Sequence, residues 1–392
     1  MTRLRLLFVS VPAQGHVRPL LGLALAARRL GHEVAWVSGP DARPVLQPFE
    51  MPLFEAGPDF AAALAAFRAE CPDVAALPGR QQAIHAFPGL FGRTIARAML
   101  PALQAALDDW RPSMIVSEPA ALAAPLAAAT HALPHLTHDF GMPIPQALLS
   151  AAAEALAPEW RAAGREPPAD AGVYAHAAVE IVPAALRIHG ARSPCAPMRL
   201  AQRPCAITGA PQAPLPASLA DFLRRTDGRH RVYASFGTLN RGGPPWQALW
   251  DALVAAGNPC IVTTGPFVAP PAPAQWPAHL CAAPYVPQSQ VLPHCAAVVS
   301  HGGAGIGFAA AAAGLPQLCL PLGADQFRNA DALAAAGVAR LVEAVDATTI
   351  GAALAELRGD AARLAAAAAM RAEFMALPTP EDTAARLAEL VH

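Results

Sequence analysis

The sequence contains no lysine and no run of basic side chains. Only 15% of its 392 residues are charged, and the formal net charge is −1. A chain without a basic patch is a poor candidate for binding nucleic acid, so we expect no such partner. Because a P-loop uses a lysine to contact phosphates, the absence of lysine also excludes a lysine-dependent P-loop protein.

Cysteine pairs with short spacing are absent as well. No CxxC motif occurs, and the seven cysteines are dispersed, at Cys71, Cys195, Cys205, Cys260, Cys281, Cys295 and Cys319. An odd, scattered set argues against a disulfide framework and favours a reducing compartment. We therefore predict a cytoplasmic protein.

Two common catalytic motifs are missing, and so is a convincing metal site. The sequence has no DxD triplet, the usual carboxylate motif of metal–diphosphate binding, and no GxSxG nucleophile elbow. His131, His135 and His138 are close in sequence, but Pro134 breaks any helix that would align them. We predict that the chain binds no metal and no cofactor.

Uninterrupted apolar helices are also lacking. Residues 302–324 carry no charge, which raises the question of a membrane span. Six glycines and two prolines in this stretch disfavour one continuous helix. We predict a glycine loop, a helix and a strand instead, and no membrane span.

What the sequence does contain is an alternation of strand and helix patterns. Leu4–Val11 reads as an apolar strand, Pro19–Leu30 as a helix and Glu33–Ser38 as the next strand. Such alternation predicts a parallel sheet. A strand followed by a glycine turn recurs at Arg231–Phe236, after a proline-rich stretch at 204–216 that is typical of an interdomain linker.

The length also exceeds the size at which one hydrophobic core usually stops growing. We therefore predict an α/β fold with two Rossmann-like domains that face each other across a cleft. The predicted boundaries are 1–208 for the N-terminal domain, 209–218 for the linker, 219–377 for the C-terminal domain, and 378–392 for a C-terminal helix that packs back on the N-terminal domain.

One stretch of the first half is expected to be irregular. Residues 56–92 are interrupted by four prolines and contain four phenylalanines. The segment reads either as an adaptable wall over an apolar ligand or as an ordinary insertion between two elements.

The second half contains a glycine-rich turn with the properties of an anion site. A strand at Val298–Ser300 leads into HGGAG, His301–Gly305, and then into an alanine-rich helix. The free N–H groups and roughly half a positive charge at a helix start favour a diphosphate. His301 and the turn Gly237-Thr238 can add hydrogen bonds. Alternatively, the glycines only permit close strand–helix packing, since the Rossmann GxGxxG pattern is not complete.

The first half offers a histidine and a carboxylate for acid–base chemistry. His16 is expected in the loop after the first strand, and Glu118 directly follows the strand Met114–Ser117. Both positions lie at the carboxyl edge of one parallel sheet. An imidazole suits a base near neutral pH, and a carboxylate behind it orients the ring. The alternatives are that His16 only satisfies the loop, and that Asp139 is the carboxylate.

The segment Tyr285–Asn329 resembles the donor-binding signature of family-one glycosyltransferases, which include bacterial macrolide and aromatic polyketide transferases. GHVRPLLGLALAARRLGHEV near the start and the RVYASFGT strand share the resemblance. It implies the GT-B architecture, with acceptor bound by the N-terminal domain and nucleotide sugar by the C-terminal domain. The donor-binding residues that it implies are Gly237, Thr238, Tyr285, Val286, Gln288, His301, Gly303, Ala304, Gly305, Ile306, Asp325 and Gln326.

The resemblance also implies roles for these residues. Tyr285 stacks on the nucleobase, whose edge the Val286 backbone reads. His301 and the backbone of 303–306 hold the pyrophosphate. Asp325 and Gln326 bind the sugar hydroxyls, although Asp325 can alternatively be a helix cap. His16 and Glu118 become the catalytic pair, with Glu118 in place of the aspartate that is usual in the family.

Two further departures from the family pattern affect the donor. Ala309 stands near the position where users of UDP-sugars commonly carry a glutamate for the ribose hydroxyls, which favours a dTDP-linked deoxysugar. Ile306 replaces a small hydroxyl residue, which removes one phosphate ligand.

The prediction is therefore an inverting, metal-independent glycosyltransferase that moves a sugar or deoxysugar from a nucleotide diphosphate to a small apolar natural product. A dTDP-linked donor is favoured, and UDP- and GDP-linked donors stay open. The nucleotide sugar is a co-substrate, and the protein is a monomer or homodimer. Three alternatives stay open: a non-hydrolysing nucleotide-sugar epimerase, a non-catalytic nucleotide-sugar binding protein, and a rhamnosyltransferase with a lipid acceptor.

Overall fold

The chain divides into two compact α/β units. The computed structural model describes residues 3–187, 195–204, 214–237, 244–265, 276–343 and 346–391. The first unit comprises Met1–Val182, Ala191–Ala210 and Leu377–His392, and the second comprises Pro183–Gly190 and Pro211–Ala376. Residues 183–187 thus belong to the second unit, although they fall in the range predicted for the first domain. Of the predicted linker, only residues 214–218 lie in the described ranges.

The first unit is built on a parallel sheet with strand order β3-β2-β1-β4-β5-β6-β7. Residues 6–9 of the interior strand β1 are all fully buried, as expected for a parallel strand covered on both faces. The strands are Arg5–Val9 (β1), Glu33–Ser38 (β2), Leu53–Glu55 (β3), Met114–Ser117 (β4), His135–His138 (β5), Ala177–Glu180 (β6) and Met198–Ala201 (β7).

The second unit repeats this plan with strand order β10-β9-β8-β11-β12-β13, again parallel throughout. Its strands are Val232–Ser235 (β8), Cys260–Thr263 (β9), Leu280–Ala283 (β10), Ala297–Ser300 (β11), Gln317–Cys319 (β12) and Ala339–Leu341 (β13). Two parallel sheets with helical connections confirm the predicted α/β class with two Rossmann-like domains.

Helices connect most successive strands. Within the described ranges, none combines the length and the apolar character needed to cross a membrane. The α-helices are Gln14–Arg29 (α1), Arg43–Leu46 (α2), Phe60–Glu70 (α3), Gly79–Ala86 (α4), Arg97–Trp110 (α5), Ala123–Thr130 (α6), Gln146–Ala155 (α7), Ala157–Ala162 (α8), Ala184–Arg187 (α9), Ala217–Arg225 (α10), Pro244–Ala256 (α11), Gln288–Val291 (α12), Ala304–Ala312 (α13), Gln326–Ala335 (α14), Ala347–Gly359 (α15), Ala361–Ala376 (α16) and Pro380–Ala385 (α17).

The first helix begins earlier than predicted. The N–H groups of His16 and Val17 both bond to the carbonyl of Ala13, at 2.9 and 3.0 Å, and α1 starts at Gln14. His16 therefore lies in the first helical turn, and its predicted place in a loop is wrong. The prediction put Pro19 at the helix start, but a proline removes only one bond to the residue four positions earlier, which this helix tolerates.

The segment 56–92 is helical rather than irregular, so that prediction is wrong too. It contains α3, α4 and a wide π-helical segment at Phe87–Ala96 that leads into α5. Pro72 stands at the start of a short 3₁₀ helix, where the missing N–H costs little because it has no helical partner. Pro88 lies just after the junction of α4 with the π-helical segment, which follow one another without a break.

The C-terminal segment completes the first unit. α17 packs against α1, and its N-terminus carries a capping box formed by Thr379 and Asp382. The N–H of Arg203 donates to the carbonyl of Pro378 at 2.8 Å, and the Thr383 hydroxyl donates to the carbonyl of Ala201 at 3.0 Å. These bonds join the chain end to the region of β7.

Candidate functional site

The first candidate site lies where the strand order of the first sheet reverses direction. β1 and β4 are neighbours, with Val9 opposite Ser117, while the chain continues from β1 to β2 on one side and from β4 to β5 on the other. The segments that leave β1 and β4 carry His16 and Glu118. Such a reversal at the carboxyl ends of strands is the usual ligand position in open α/β sheets.

The structure brings the two predicted catalytic side chains together. Nδ1 of His16 lies 3.3 Å from Oε2 of Glu118, although the contact falls outside hydrogen-bond geometry. The His16 side chain is 15% exposed and that of Glu118 is fully buried. With Nδ1 facing the carboxylate, Nε2 is the nitrogen left to meet a bound molecule.

The carboxylate of Glu118 is fixed by backbone donors from both loops. Its Oε1 accepts the N–H of Val11 at 3.0 Å, and its Oε2 accepts the N–H of Ala120 at 2.6 Å. The side chain therefore reaches across from its own strand end to the segment that follows β1. Both bonds orient the carboxylate beside the imidazole without help from His16.

Two aromatic rings complete the surroundings of His16. The ring of Phe140 lies 4.5 Å from the imidazole, centroid to centroid, and the ring of Phe91 lies 5.5 Å away. Phe91 in turn lies 5.9 Å from Phe87. Phe91 comes from the π-helical segment and Phe140 from the loop after β5, so the imidazole borders an apolar wall. These phenylalanines were not predicted as partners of His16.

The other polar side chains of this region are buried and make contacts within the protein. Asp139 is buried and accepts the Tyr174 hydroxyl at 2.8 Å. His135 bonds to the Ser117 hydroxyl at 2.8 Å, and burial lowers its pKa to about 3. Burial likewise lowers the pKa of His138 to about 4. The described residues contain no cluster of three side chains suited to a metal.

The second candidate site occupies the equivalent place in the second sheet. β8 and β11 are neighbours at the point where the strand order reverses, with Ser235 opposite Ser300. Gly237 follows β8 and His301 follows β11. Thr238, predicted to contribute to this turn, lies outside the described residues.

The His301 ring is packed between two glycines. A Cβ at Gly303 would lie 2.4 Å from the ring Nε2, and a Cβ at Gly237 would lie 3.0 Å from Cε1. Gly237 also has a φ of +71°, which favours glycine. Burial lowers the pKa of His301, opposed by the negative charge of Asp325. Because the two glycines have no side chains, the His301 ring fits at the helix start. Its burial there favours the neutral imidazole.

Helix α13 presents its first turn beside this ring. Gly303 is the N-cap and makes no side-chain capping bond, and the N–H of Gly307 donates to the carbonyl of Gly303 at 2.8 Å. The N–H groups of Ala304, Gly305 and Ile306 precede it and have no partner within a helix. The Ile306 side chain is buried in the core, so only its backbone is available to a ligand.

Asp325 and Gln326 stand at the start of α14 and are both held by neighbours. The Asp325 Oδ2 accepts the Asn329 Nδ2 at 2.7 Å, and Asp325 makes no side-chain capping bond. Asp325 thus occupies the N-cap position of α14, as the alternative expected, but its side chain makes no capping bond to the backbone. Gln326 Oε1 accepts the N–H groups of Leu322 and Gly323, at 2.8 and 3.1 Å, which leaves its Nε2 as a donor for a ligand.

The residues predicted to contact the nucleobase lie after β10. Tyr285 is 56% exposed, whereas Val286 next to it is buried. Gln288 begins α12 and is partly buried. The exposed ring of Tyr285, next to a buried residue, is suited to stacking on a base. The buried ring of Tyr233 is not.

Comparisons with known proteins agree along the whole chain. Residues 25–233 match the family described as Erythromycin biosynthesis protein CIII-like, N-terminal domain, and residues 249–390 match its C-terminal domain. The L-demethylnoviosyl transferase of Streptomyces niveus is 30% identical, with 98% of each chain covered. The elloramycin glycosyltransferase ElmGT of Streptomyces olivaceus is 32% identical and covers 98% of this chain and 97% of its own.

A solved structure shares the fold. SsfS6, a glycosyltransferase of Streptomyces sp. SF2575 complexed with thymidine diphosphate, matches with a TM-score of 0.77. It is 23% identical, and the match covers 99% of this chain and 100% of that one. At this identity the likeness concerns the fold.

Proposed function

Because this chain belongs to the EryCIII-like family of glycosyltransferases, we propose that it transfers a sugar from a dTDP-linked donor to a small apolar acceptor, with inversion at the anomeric carbon. Its membership confirms the resemblance to natural-product glycosyltransferases that use nucleotide sugars. The observation that carries the finer proposal is the contact of His16 with the buried Glu118 at 3.3 Å.

In the proposed reaction the Nε2 of His16 takes the proton of an acceptor hydroxyl. The hydroxyl oxygen bonds to the anomeric carbon while the bond from that carbon to the diphosphate breaks, and the nucleoside diphosphate leaves with the electron pair. Glu118 orients the imidazole and stabilises the imidazolium that forms. The N–H groups at the start of α13 stabilise the charge on the leaving diphosphate.

Inversion is supported by the hydrogen bonds that the Glu118 carboxylate accepts. A retaining enzyme of the double-displacement type needs a carboxylate that attacks the anomeric carbon. Both oxygens of Glu118 accept backbone N–H groups, which suits an orienting group and not a nucleophile. Direct displacement by the acceptor requires only the base.

The dTDP donor is supported by residue 309 and by a structural relative. Ala309, on α13, offers a methyl group where a carboxylate would bind the ribose 2′-hydroxyl, and deoxyribose lacks that hydroxyl. SsfS6 has been crystallised with thymidine diphosphate. The apolar acceptor is supported by Phe91 and Phe140 beside His16.

Two measurements test the proposal. Thermal-shift titrations should show a larger rise in Tm with dTDP than with UDP or GDP. Incubation with dTDP-glucose and a panel of aromatic polyketide and macrolactone aglycones should release dTDP and give a glycoside with the inverted anomeric configuration, read from the proton coupling constant.

The outcomes also separate the alternatives. Isomerisation of the sugar with donor alone would identify an epimerase, and binding without release of nucleotide across the whole panel would identify a non-catalytic protein. Transfer only to lipid acceptors would support the rhamnosyltransferase alternative. A product with retained configuration would contradict the role of His16 as the base for direct displacement.

A further inference from the structure

The orientation of the His16 ring has to be explained by something besides Glu118. A histidine side chain can adopt several staggered rotamers about its first torsion angle, and these place the ring in different positions. The 3.3 Å contact with Glu118 falls outside hydrogen-bond geometry. Both carboxylate oxygens already accept backbone N–H groups, so Glu118 alone does not hold the His16 side chain in the rotamer that faces it.

Phe91 and Phe140 are aromatic side chains that border the imidazole. Their ring planes are inclined to the imidazole by 44° and 46°, with centroids 5.5 and 4.5 Å away. They reach His16 from two separate elements, so the imidazole is confined by both. A half-turn about the outer torsion angle leaves the ring in the same plane, but a tilt of the ring or a change of rotamer would bring it against one of them.

The element that carries Phe91 is itself firmly anchored. π-Helical turns are rare and often occur at functional sites, and this one spans Phe87–Ala96. A Cβ at Gly89 would lie 2.3 Å from the ring of Phe67, so the wide turn packs directly on α3. The Phe87 ring supports Phe91 from the same segment. Phe91 therefore has a defined position against His16.

We propose that Phe91 and Phe140 are positioning residues, which hold the imidazole with Nδ1 towards Glu118 and Nε2 towards the acceptor. This role rests on the proposed function of His16 as the base. The phenylalanines act through the histidine: they keep the Nδ1–H tautomer beside the carboxylate and leave the lone pair of Nε2 free to accept a proton.

The tautomer of His16 tests this without any substrate. In uniformly ¹⁵N-labelled full-length protein, the His16 ring signals are assigned by their loss in His16→Gln. The native ring should show a single Nδ1–H tautomer, and Phe140→Ala and Phe91→Ala should each give a mixture of tautomers. Phe140→Leu keeps most of the side-chain volume and should restore the single tautomer. It also provides a test if the alanine variant does not fold.

Phe54→Ala is the matched control, because Phe54 packs against Trp110, at 6.2 Å, in the same core. It should leave the His16 signals unchanged. A single tautomer in both alanine variants, or the same mixture in Phe54→Ala, would overturn the positioning role.

A kinetic cycle separates this proposal from the proposed function. With dTDP-glucose and 1-naphthol, Phe140→Ala should lower kcat about 10-fold, and with the more acidic 4-nitro-1-naphthol about 3-fold, since an acidic hydroxyl depends less on a base. In a His16→Ala background, Phe140→Ala should have no further effect on kcat. Additive losses would overturn the positioning role alone, whereas an unchanged kcat in His16→Ala would overturn the role of the base.

Discussion

The two units place their functional groups at the same point of the same topology but build them from different parts of the chain. At the β1–β4 reversal the site consists of side chains, His16 and Glu118, held by packing and by backbone donors. At the β8–β11 reversal it consists of a helix start and glycines around His301. Proton transfer needs one atom of suitable basicity, whereas a diphosphate can be held by several N–H groups.

This difference predicts where substitutions are damaging. In the first unit, removing a side chain should remove the chemistry. In the second, most of the proposed hydrogen-bond donors are backbone groups that no substitution removes, so added bulk should cause the loss of binding.

The largest effect is expected from His16→Ala. Loss of a general base typically lowers the rate about 10²–10⁴-fold, and kcat for transfer should fall by this amount. Affinity for dTDP, measured by calorimetry, should be unchanged because His16 lies in the first unit. Gln14→Ala, in the same helical turn, should keep kcat within about two-fold as expected for an exposed surface site. A kcat of His16→Ala equal to that of the native protein would contradict the predicted difference between the two units.

Next in size should be Gly303→Ala. The added Cβ would lie 2.4 Å from the His301 Nε2, so the ring must move out of its place at the helix start. We expect about 10- to 100-fold weaker dTDP binding, which is on the order of 1.4–2.7 kcal/mol. Gly351→Ala adds the same methyl in open space on α15 and should bind dTDP normally. Equal affinities in both variants would show that bulk at the glycine turn does not matter.

The sequence predicted the strands of both units better than it predicted the helices around the first site. Glu33–Ser38 and Met114–Ser117 coincide with β2 and β4, because apolar runs bounded by turns leave few alternatives. His16 was misplaced because proline was expected at a helix start, and Pro19 stands inside α1.

The glycine turn and the carboxylate could be found from sequence because each directly follows a recognisable strand. Phe91 and Phe140 could not, since their contact with His16 depends on how a π-helical segment and a loop pack in three dimensions. Segment 56–92 was expected to be irregular because prolines usually break helices, yet Pro72 begins a short 3₁₀ helix and Pro88 lies inside the continuous run of α4 and the π-helical segment. Whether a proline ends a helix or is tolerated in it depends on tertiary packing, which cannot be read from the sequence.

A smaller effect is expected from Asn329→Ala. Asn329 is buried and donates to the Asp325 carboxylate at 2.7 Å, so its removal frees a group proposed to bind the sugar. A lost hydrogen bond of about 1 kcal/mol corresponds to about a 5-fold rise in KM for the dTDP-sugar. Affinity for dTDP without sugar should change less than about two-fold, because Asp325 is proposed to bind the sugar and not the nucleotide. Asn258→Ala, another buried asparagine of this unit, should leave KM unchanged; a matching rise there would indicate a general loss of packing.

The smallest expected effect is a pH dependence of donor binding through His301. Burial lowers the pKa of this imidazole in the free protein, and a bound diphosphate should raise it, because opposite charge favours the protonated ring. Binding then takes up a proton, so affinity for dTDP-glucose should rise as pH falls from 8 to 6, by about 3-fold. The diphosphate diester of the donor does not titrate in this range, and the slope therefore reports the protein. Calorimetry should show the rise in the native chain and its absence in His301→Gln. The same slope in both proteins would mean that His301 stays neutral in the complex and contributes only a hydrogen bond.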